Sequence, residues 1–398
     1  MKINVSKADF LSSVSLKDGE IQLTDIKHKT ISFKQLSCYP RALPIQQPLS
    51  GVTVAERIWH ILCQPNIMKS RAEDLSSEAV EKYIKKITLA VDKGNPVPLV
   101  FIGLPFKARQ NPLKTNRHTP DLGELFMLRR LLDISMTVRQ VYTPGIQWTV
   151  VLEGEAYRNL FGVNKDEVAG YRKVIEEFIL RLNGTGDILL SDLACLSAKY
   201  DNFDERVESI YQELKNLHNS NQTVSAEFAT IYWTMRNSMN MQNCSPEELY
   251  YLSCDDCSSA WPARIQTLWH DIAERALDVT LRYLAFNKVK NNIGRSGQGL
   301  ITDSYPDHCY VSITPKVDRY AFYPLSKETK FFPHHGVPVL IGKRNGFVKM
   351  VFLVDIATKK NNYRAVYIDA DQEQKPFFYQ QMQNNNGYQL SGGWNYGY

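Results

Sequence analysis

Between residues 77 and 190 the chain alternates three times between a capped helix and a short, almost wholly apolar run, and nothing else constrains its fold as much. Val80, Ile84, Ile87 and Val91 recur at helical spacing, with Ser77 as N-cap and Gly94 and Pro96 as the stop. Val97-Pro98-Leu99-Val100-Phe101-Ile102-Gly103 follows, and an apolar run between breakers is the pattern of a parallel strand covered on both faces. Asp121 and Glu124 have capping-box spacing and open a second helix through Leu125, Leu128, Leu131 and Leu132, before a strand from Gln147 to Leu152. Asn164 and Glu167 start a third helix, which ends near Leu182, and a third strand runs from Asp187 to Leu190. This order predicts an α/β fold with a doubly wound, Rossmann-like, mainly parallel sheet.

The flanks are read more coarsely. Residues 1–50 form an N-terminal appendage in which Glu20–Leu23 and Thr30–Phe33 alternate as strands do, ending in a linker marked by Pro40, Pro44 and Pro48. Thr53 and Glu56 form another capping-box pair, opening a helix to about Cys63. Residues 203–290 are a mostly helical insertion, with Ala260 to Phe286 the longest run. Strands return at Tyr310–Ile313, Val337–Ile341 and Val348–Val354, the last two a hairpin around Arg344-Asn345-Gly346, so the sheet is expected to end in antiparallel strands. The α/β domain is therefore placed at 51–360 and a tail at 361–398, in which from Gln380 onward there is no charged residue and Gln, Asn, Gly and Tyr dominate.

Composition excludes several classes. No apolar stretch reaches the roughly eighteen residues that a transmembrane helix needs. The residues after Met1-Lys2-Ile3-Asn4-Val5 lack the pattern of a secretory signal, and seven scattered cysteines read as reduced thiols, so the expected compartment is the cytoplasm. A net charge of +5, mixed in sign along the helices, argues against a nucleic-acid partner. Gly-rich dinucleotide and phosphate-loop fingerprints and a Gly-x-Ser-x-Gly elbow are absent from the sequence, and Cys254-x-x-Cys257 has no second pair to make a zinc site. Neither a cofactor nor a metal is expected.

Ligands of open α/β sheets bind beyond the carboxyl ends of the strands. The segment leaving the first strand, Leu104 to Asp121, carries Lys107, Arg109, Lys114, Arg117 and His118 before its first acid. Such a long irregular connection is usually functional, and concentrated positive charge there suits a phosphate; a solvated basic loop is the alternative. Asp121 and Glu124 are explained by capping alone. Glu153, just after the second strand, is placed to hold an amino group or take a proton, or is an ordinary loop charge. His334 and His335, entering a later strand, suggest acid–base work near neutral pH.

Several of these segments together resemble a known signature. Leu104-Pro105-Phe106-Lys107, Asn111-Pro112-Leu113-Lys114, Pro120-Asp121-Leu122-Gly123-Glu124, Tyr142-Thr143-Pro144-Gly145, Ser312-Ile313 and Pro333-His334-His335-Gly336-Val337 are similar, in order, to elements of the pyoverdine/dityrosine biosynthesis family, over roughly residues 55–355. The chain departs from the pattern in having Leu152-Glu153-Gly154-Glu155 where members often have Ser-Asp-Gly-Arg. Tyr310 and Thr314 stand where many have Arg and His, and His334 stands for a Trp.

The resemblance implies an isonitrile synthase that joins the α-amine of tyrosine or tryptophan to the C2 ketone of ribulose 5-phosphate, C2 becoming the isonitrile carbon. It implies acid–base roles for Asp121, Glu124 and His335, with Lys107, Arg109, Lys114, Arg117 and His118 on the sugar phosphate. Arg295 or Lys316 is then expected on the amino-acid carboxylate, with Glu153, Ser312 and His334 also lining the substrate. An iron/2-oxoglutarate-dependent oxygenase is the expected pathway partner. Two other functions fit the same residues: an enzyme making an N-formyl aromatic amino acid, as in dityrosine formation, and a non-catalytic sugar-phosphate-binding module.

Overall fold

The structure is a computed structural model that describes residues 6–382 except 18–19, 37, 50, 52, 70–74, 108–110, 116–117, 254–256, 330–331, 343–346 and 369–374. Its strands are β1 (Val14–Lys17), β2 (Glu20–Leu23), β3 (Lys27–Ile31), β4 (Val97–Gly103), β5 (Ile146–Leu152), β6 (Ile188–Asp192), β7 (Cys309–Tyr310), β8 (Val337–Ile341), β9 (Phe347–Val351), β10 (Tyr363–Ile368) and β11 (Phe378–Gln381). The three helices and three strands expected between residues 77 and 190 all form. Ser76 rather than Ser77 is the first helix's N-cap, and both capping-box pairs, Thr53/Glu56 and Asp121/Glu124, are present.

β4 to β7 make a wholly parallel sheet in the order β6-β5-β4-β7. Alternate side chains of a strand point to opposite faces, and here both faces are dry. Leu99 and Phe101 of β4, with Trp148 and Val150 of β5, enter one core beneath helices Ser77–Asp92, Leu122–Val138 and Lys165–Arg181. Val100 and Val151 enter a second core with Tyr157, Leu193, Phe203 and Val289. The expected α/β fold with a parallel sheet is thus what the chain adopts. The insertion is helical as read, with helices Phe203–Asn219, Phe228–Arg236, Pro246–Leu252 and Ala263–Asn292.

The antiparallel C-terminal strands do not extend that sheet. They build a second, five-stranded mixed sheet in the order β3-β10-β11-β8-β9. β8 and β9 pair as the expected hairpin, although the turn residues 344–346 lie outside the described residues. β9 stops at Val351 and the chain turns into the helix Leu353–Ala357, ending the expected strand at Val348–Val354 early.

The expected division into appendage, domain and tail needs correction at both ends. β3 lies parallel to β10, joining residues 27–31 to residues 364–368. β11 sits between β10 and β8, so Gln380 is paired on both sides rather than opening a free tail. The apolar pair Phe377 and Phe378, both buried, supplies the core contact that composition from Gln380 onward concealed. The rest of the expected tail, residues 383–398, lies outside the described residues.

Helix Leu122–Val138 is the wall between the two sheets. Fourteen of its seventeen residues are buried, as a helix covered on all sides requires. The indole of Trp148 on β5 donates to the carbonyl of Leu131 at 2.9 Å, and the Gly123 backbone packs against Met350 of β9. The N-terminus of this helix is thereby fixed between the carboxyl end of β4 and the start of β8. Among the described residues no helix is long and apolar enough to cross a membrane.

Candidate active site

The connection leaving β4 turns at once, with Leu104 at φ 55°, and delivers Lys107 into the interior. The Lys107 ammonium lies 2.9 Å from the Asp121 carboxylate and 3.1 Å from that of Glu124. It also donates to the carbonyls of Pro333 (2.6 Å) and Gly336 (3.3 Å). Four acceptors thus surround three ammonium protons, and no donor is left over for an anionic ligand.

Asp121 accepts from Gly123 N at 2.9 Å, and Glu124 accepts from Asp121 N at 3.0 Å and from the Tyr171 hydroxyl at 3.2 Å. These contacts make Lys107, Asp121 and Glu124 a buried staple. It ties the β4 connection, the central helix and the segment Pro333–Gly336 together. Asp121 and Glu124 thus form the expected capping box and pair with Lys107 in the same cluster.

Lys114 has a different environment. Asn111 shapes the turn before it, its side-chain oxygen accepting from Leu113 N at 3.0 Å and its amide donating to Asn237 O at 2.9 Å. The Lys114 amine, almost wholly buried, contacts Ser238 Oγ at 3.2 Å and His335 Nδ1 at 3.3 Å. Among the described residues it meets no carboxylate within 4 Å. Loss of hydration without a compensating anion pushes its pKa down to about 7, so the neutral amine is present near neutral pH.

The two histidines respond in the same direction. His334 and His335 are half-buried with ring centroids 4.1 Å apart. Burial, with Lys114 and Lys107 adding to it, pushes His334 down to about 3, and His335 also lies well below the ordinary histidine value. His335 is therefore a neutral imidazole. With Nδ1 facing the Lys114 donor, its proton belongs on Nε2, a tautomer assigned from this contact. The expectation of a histidine that titrates near pH 7 is corrected here, because burial among cations disfavours the imidazolium. Lys114 is the group poised near neutrality.

Glycine makes the assembly possible at two points. A Cβ on Gly154 would lie 2.3 Å from the Pro105 carbonyl, and one on Gly336 would lie 2.3 Å from that of Val351. The first close approach brings Glu153, directly after β5, beside the β4 connection; the second seats the histidine segment on β9.

The other expected site residues are placed as follows. Arg109 and Arg117 lie outside the described residues, and His118 is half-buried in the same connection. Ser312 bridges to Ala321, and its hydroxyl accepts from Thr314 N at 3.1 Å, so its contacts are those of a turn. Lys316 is exposed. Arg295 is exposed on the surface and pairs with Asp303 at 3.1 Å, so the structure does not bring it to the Lys114 cluster.

Sequence reading missed Ser238 and Tyr171, which reach the site from helix ends and faces more than forty positions away. It also missed Lys290, buried in the last turn of the longest helix. Ser238 stands just past a helix end after Arg236 and Asn237, and Lys290 among Asn287, Lys288, Asn291 and Asn292, so nothing local marks either one, whereas Tyr171 lies in a segment similar to the family's pattern but with no role attached. A cleft of about 680 Å³ elsewhere, lined by Arg41, Phe126, Arg129, Arg130 and Asp133, shares no residue with the cluster and flanks the central helix rather than the strand ends.

Comparison with known proteins places these residues in a family context. A family model described as pyoverdine/dityrosine biosynthesis protein matches residues 87–360, which span the whole cluster. The L-tryptophan isonitrile synthase AmbI1 of Fischerella ambigua is 19% identical over 333 residues, covering 80% of this chain and 96% of that relative. An L-tyrosine isonitrile synthase of Pseudomonas aeruginosa is 24% identical over 144 residues, 35% of this chain and 44% of the relative. The crystal structure of the PvcA protein from Pseudomonas aeruginosa superposes with a TM-score of 0.59 at 19% identity, covering 83% of this chain and all of that one. This likeness supports the fold.

Proposed function

We propose, for a chain that belongs to the pyoverdine/dityrosine biosynthesis protein family, that it is an isonitrile synthase acting on tyrosine or tryptophan and ribulose 5-phosphate. The observation that carries the reading is the Lys114 amine. It is buried, unmatched by a carboxylate among the described residues, and set against a neutral histidine at the ligand-binding edge of the sheet.

In this reading Lys114 takes a proton from the α-ammonium of the amino acid, freeing the amine to attack the ketone at C2. Its conjugate ammonium then returns the proton to the carbinolamine oxygen, which leaves as water and gives the imine. A base with a pKa near the working pH suits both halves of that exchange. His335 contributes as a neutral donor from Nε2, polarising a carbonyl or hydroxyl oxygen without being charged itself. Lys107, Asp121 and Glu124 position the catalytic segment rather than exchange protons, since their donors and acceptors are already engaged. Arg109, Arg117 and His118, on the same connection, remain the candidates for the sugar phosphate. Breaking the C1–C2 and C2–C3 bonds of the sugar then leaves C2 on nitrogen as the isonitrile carbon, with C1 leaving as formaldehyde and C3 to C5 as hydroxyacetone and free phosphate, so that atoms and electrons balance with water as the remaining product. No step calls for a redox cofactor.

Mass spectrometry of the products formed from ribulose 5-phosphate and each amino acid tests the reading. An isonitrile is expected. A product heavier by one water is the formamide of the dityrosine type, and absence of turnover with every aromatic amino acid overturns the proposal in favour of a binding module.

A further inference from the structure

A second polar cluster occupies the carboxyl ends of β5 and β7, beside the Lys107 and Lys114 group but sharing no residue with it. Glu153 follows β5 directly, and Lys290 approaches from the last turn of helix Ala263–Asn292, only 8% exposed. Burial pushes the Glu153 carboxyl up and the Lys290 amine down to about 8, and each group opposes the other's shift, Lys290 favouring the ionised Glu153 and Glu153 the charged Lys290. Yet they form no ion pair within 4 Å, and the Lys290 ammonium has no hydrogen-bond partner among the described residues. The buried hydroxyl of Tyr157 turns toward Glu153 without completing a hydrogen bond of normal geometry.

Buried polar groups with unmet valences are uncommon, and two groups of opposite charge within electrostatic reach that form no ion pair are each able to pair with a guest. The surroundings narrow the guest. Glu153 repels a phosphate, whereas an ammonium and a carboxylate on one carbon satisfy both hosts at once. Lys316 and Arg319 lie within electrostatic reach of Lys290, and the Arg319 guanidinium sits 4.0 Å from the centre of the Tyr310 ring. Tyr157 and Tyr283, with centroids 5.4 Å apart, add further aromatic surface, which favours edge or offset contact with another ring.

We propose that this cluster is the receptor for the zwitterionic head of an aromatic α-amino acid, Glu153 holding the ammonium and Lys290 the carboxylate. The inference deepens the synthase reading and rests on it for the chemistry that follows binding. Gly154, packed on the Pro105 carbonyl, brings the bound amine toward the connection that carries Lys114.

Calorimetric titration of the full chain tests it with three probes for each ring type: L-tyrosine or L-tryptophan, the amine lacking the carboxylate (tyramine or tryptamine), and the propionate lacking the ammonium. The parent protein is expected to bind one of the amino acids at least about tenfold more tightly than either of its truncated analogues. Lys290→Met removes the preference over the amine, Lys290→Arg restores part of it, and Glu153→Gln removes the preference over the propionate. Ribulose 5-phosphate binding, measured alongside, stays within about threefold in all three variants and reports that they are folded.

Unchanged amino-acid affinity in Glu153→Gln and Lys290→Met overturns the receptor. So does loss of every ligand in Lys290→Met that Lys290→Arg does not restore. If the variants behave as expected while the parent yields neither isonitrile nor formamide, the receptor stands and the synthase reading fails. If the parent makes isonitrile and the variants bind normally, the receptor alone fails.

Discussion

The amine of Lys114 lies 3.3 Å from Nδ1 of His335, a contact made across 221 positions of sequence between two groups that burial holds toward their neutral forms. A neutral amine against a neutral imidazole is a proton-accepting pair with no net charge. It would be disabled by anything that restored full solvation.

The first consequence is a pH dependence. Activity is expected to rise as pH is raised through about 7, as Lys114 sheds its proton. Lys114→Arg, which cannot shed a proton in this range, should lose at least about 100-fold in kcat at every pH. A parent profile flat between pH 6 and 8.5, or an active Lys114→Arg enzyme, counts against the assignment.

The same burial affects stability. Lys114 titrates near 7 when folded and near 10.5 in water, so between those values the unfolded chain binds a proton that the folded one has released. Stability therefore rises with pH over that interval, and the full destabilisation is present below about 7. Lys114→Met removes it and should unfold at higher urea than the parent, by an amount largest at and below pH 7. Identical urea midpoints at pH 6.5 would refute this.

Lys107→Met should behave oppositely. It leaves Asp121 and Glu124 buried without their cation and frees the carbonyls of Pro333 and Gly336, and breaking such a pair costs on the order of 3–5 kcal/mol. Chemical denaturation reads the loss directly, and a change under about 1 kcal/mol would show the staple to be dispensable.

For the histidines, carbon-bound proton resonances of His334 and His335 should not show the large shift of imidazolium formation between pH 5 and 8, because both imidazoles stay neutral there, and only a small response of His335 to Lys114 is expected near 7. His335→Ala should lower kcat by roughly 100-fold with little change in KM, since it removes a donor that acts on the reacting oxygen. A histidine titrating with a midpoint near 6.5 at either position would contradict the burial argument.

Gly154→Ala probes the link between the two clusters. The added methyl would sit 2.3 Å from the Pro105 carbonyl, and neither backbone can yield without moving the β4 or the β5 connection. The expected cost is about 1–3 kcal/mol, with a larger proportional loss of activity than of stability. A variant with parental kinetics would mean that the two connections move independently.

Much of this fold was legible in advance because the parallel sheet writes itself into local pattern. Val97–Gly103 is apolar throughout and Ile146–Leu152 is so apart from Gln147 and Thr149, since helices cover both faces, and Asp121 and Glu124 announce a helix start whatever surrounds them. The second sheet was not legible as a sheet. Its strands come from residues 27–31 and 337–381, and pairing across such separations leaves no local trace, so β10 and β11 were read as the beginning of a tail. Likewise, the basic character of the β4 connection was plain, but not the fact that Lys107 would spend its charge on two carboxylates while Lys114 kept none.

Local pattern along the chain sets the alternation of helix and strand, the caps, the place where a ligand edge must fall and which residue types stand near it, because these follow from short-range periodicity and backbone chemistry. Which of two lysines seven positions apart is paired with carboxylates and which is left a poised amine follows from the folded arrangement alone, as does the placing of Glu153 and Lys290 within electrostatic reach without an ion pair. The physical reason is that protonation and pairing depend on burial and on partners brought from distant segments. Those quantities exist only once the chain has closed on itself.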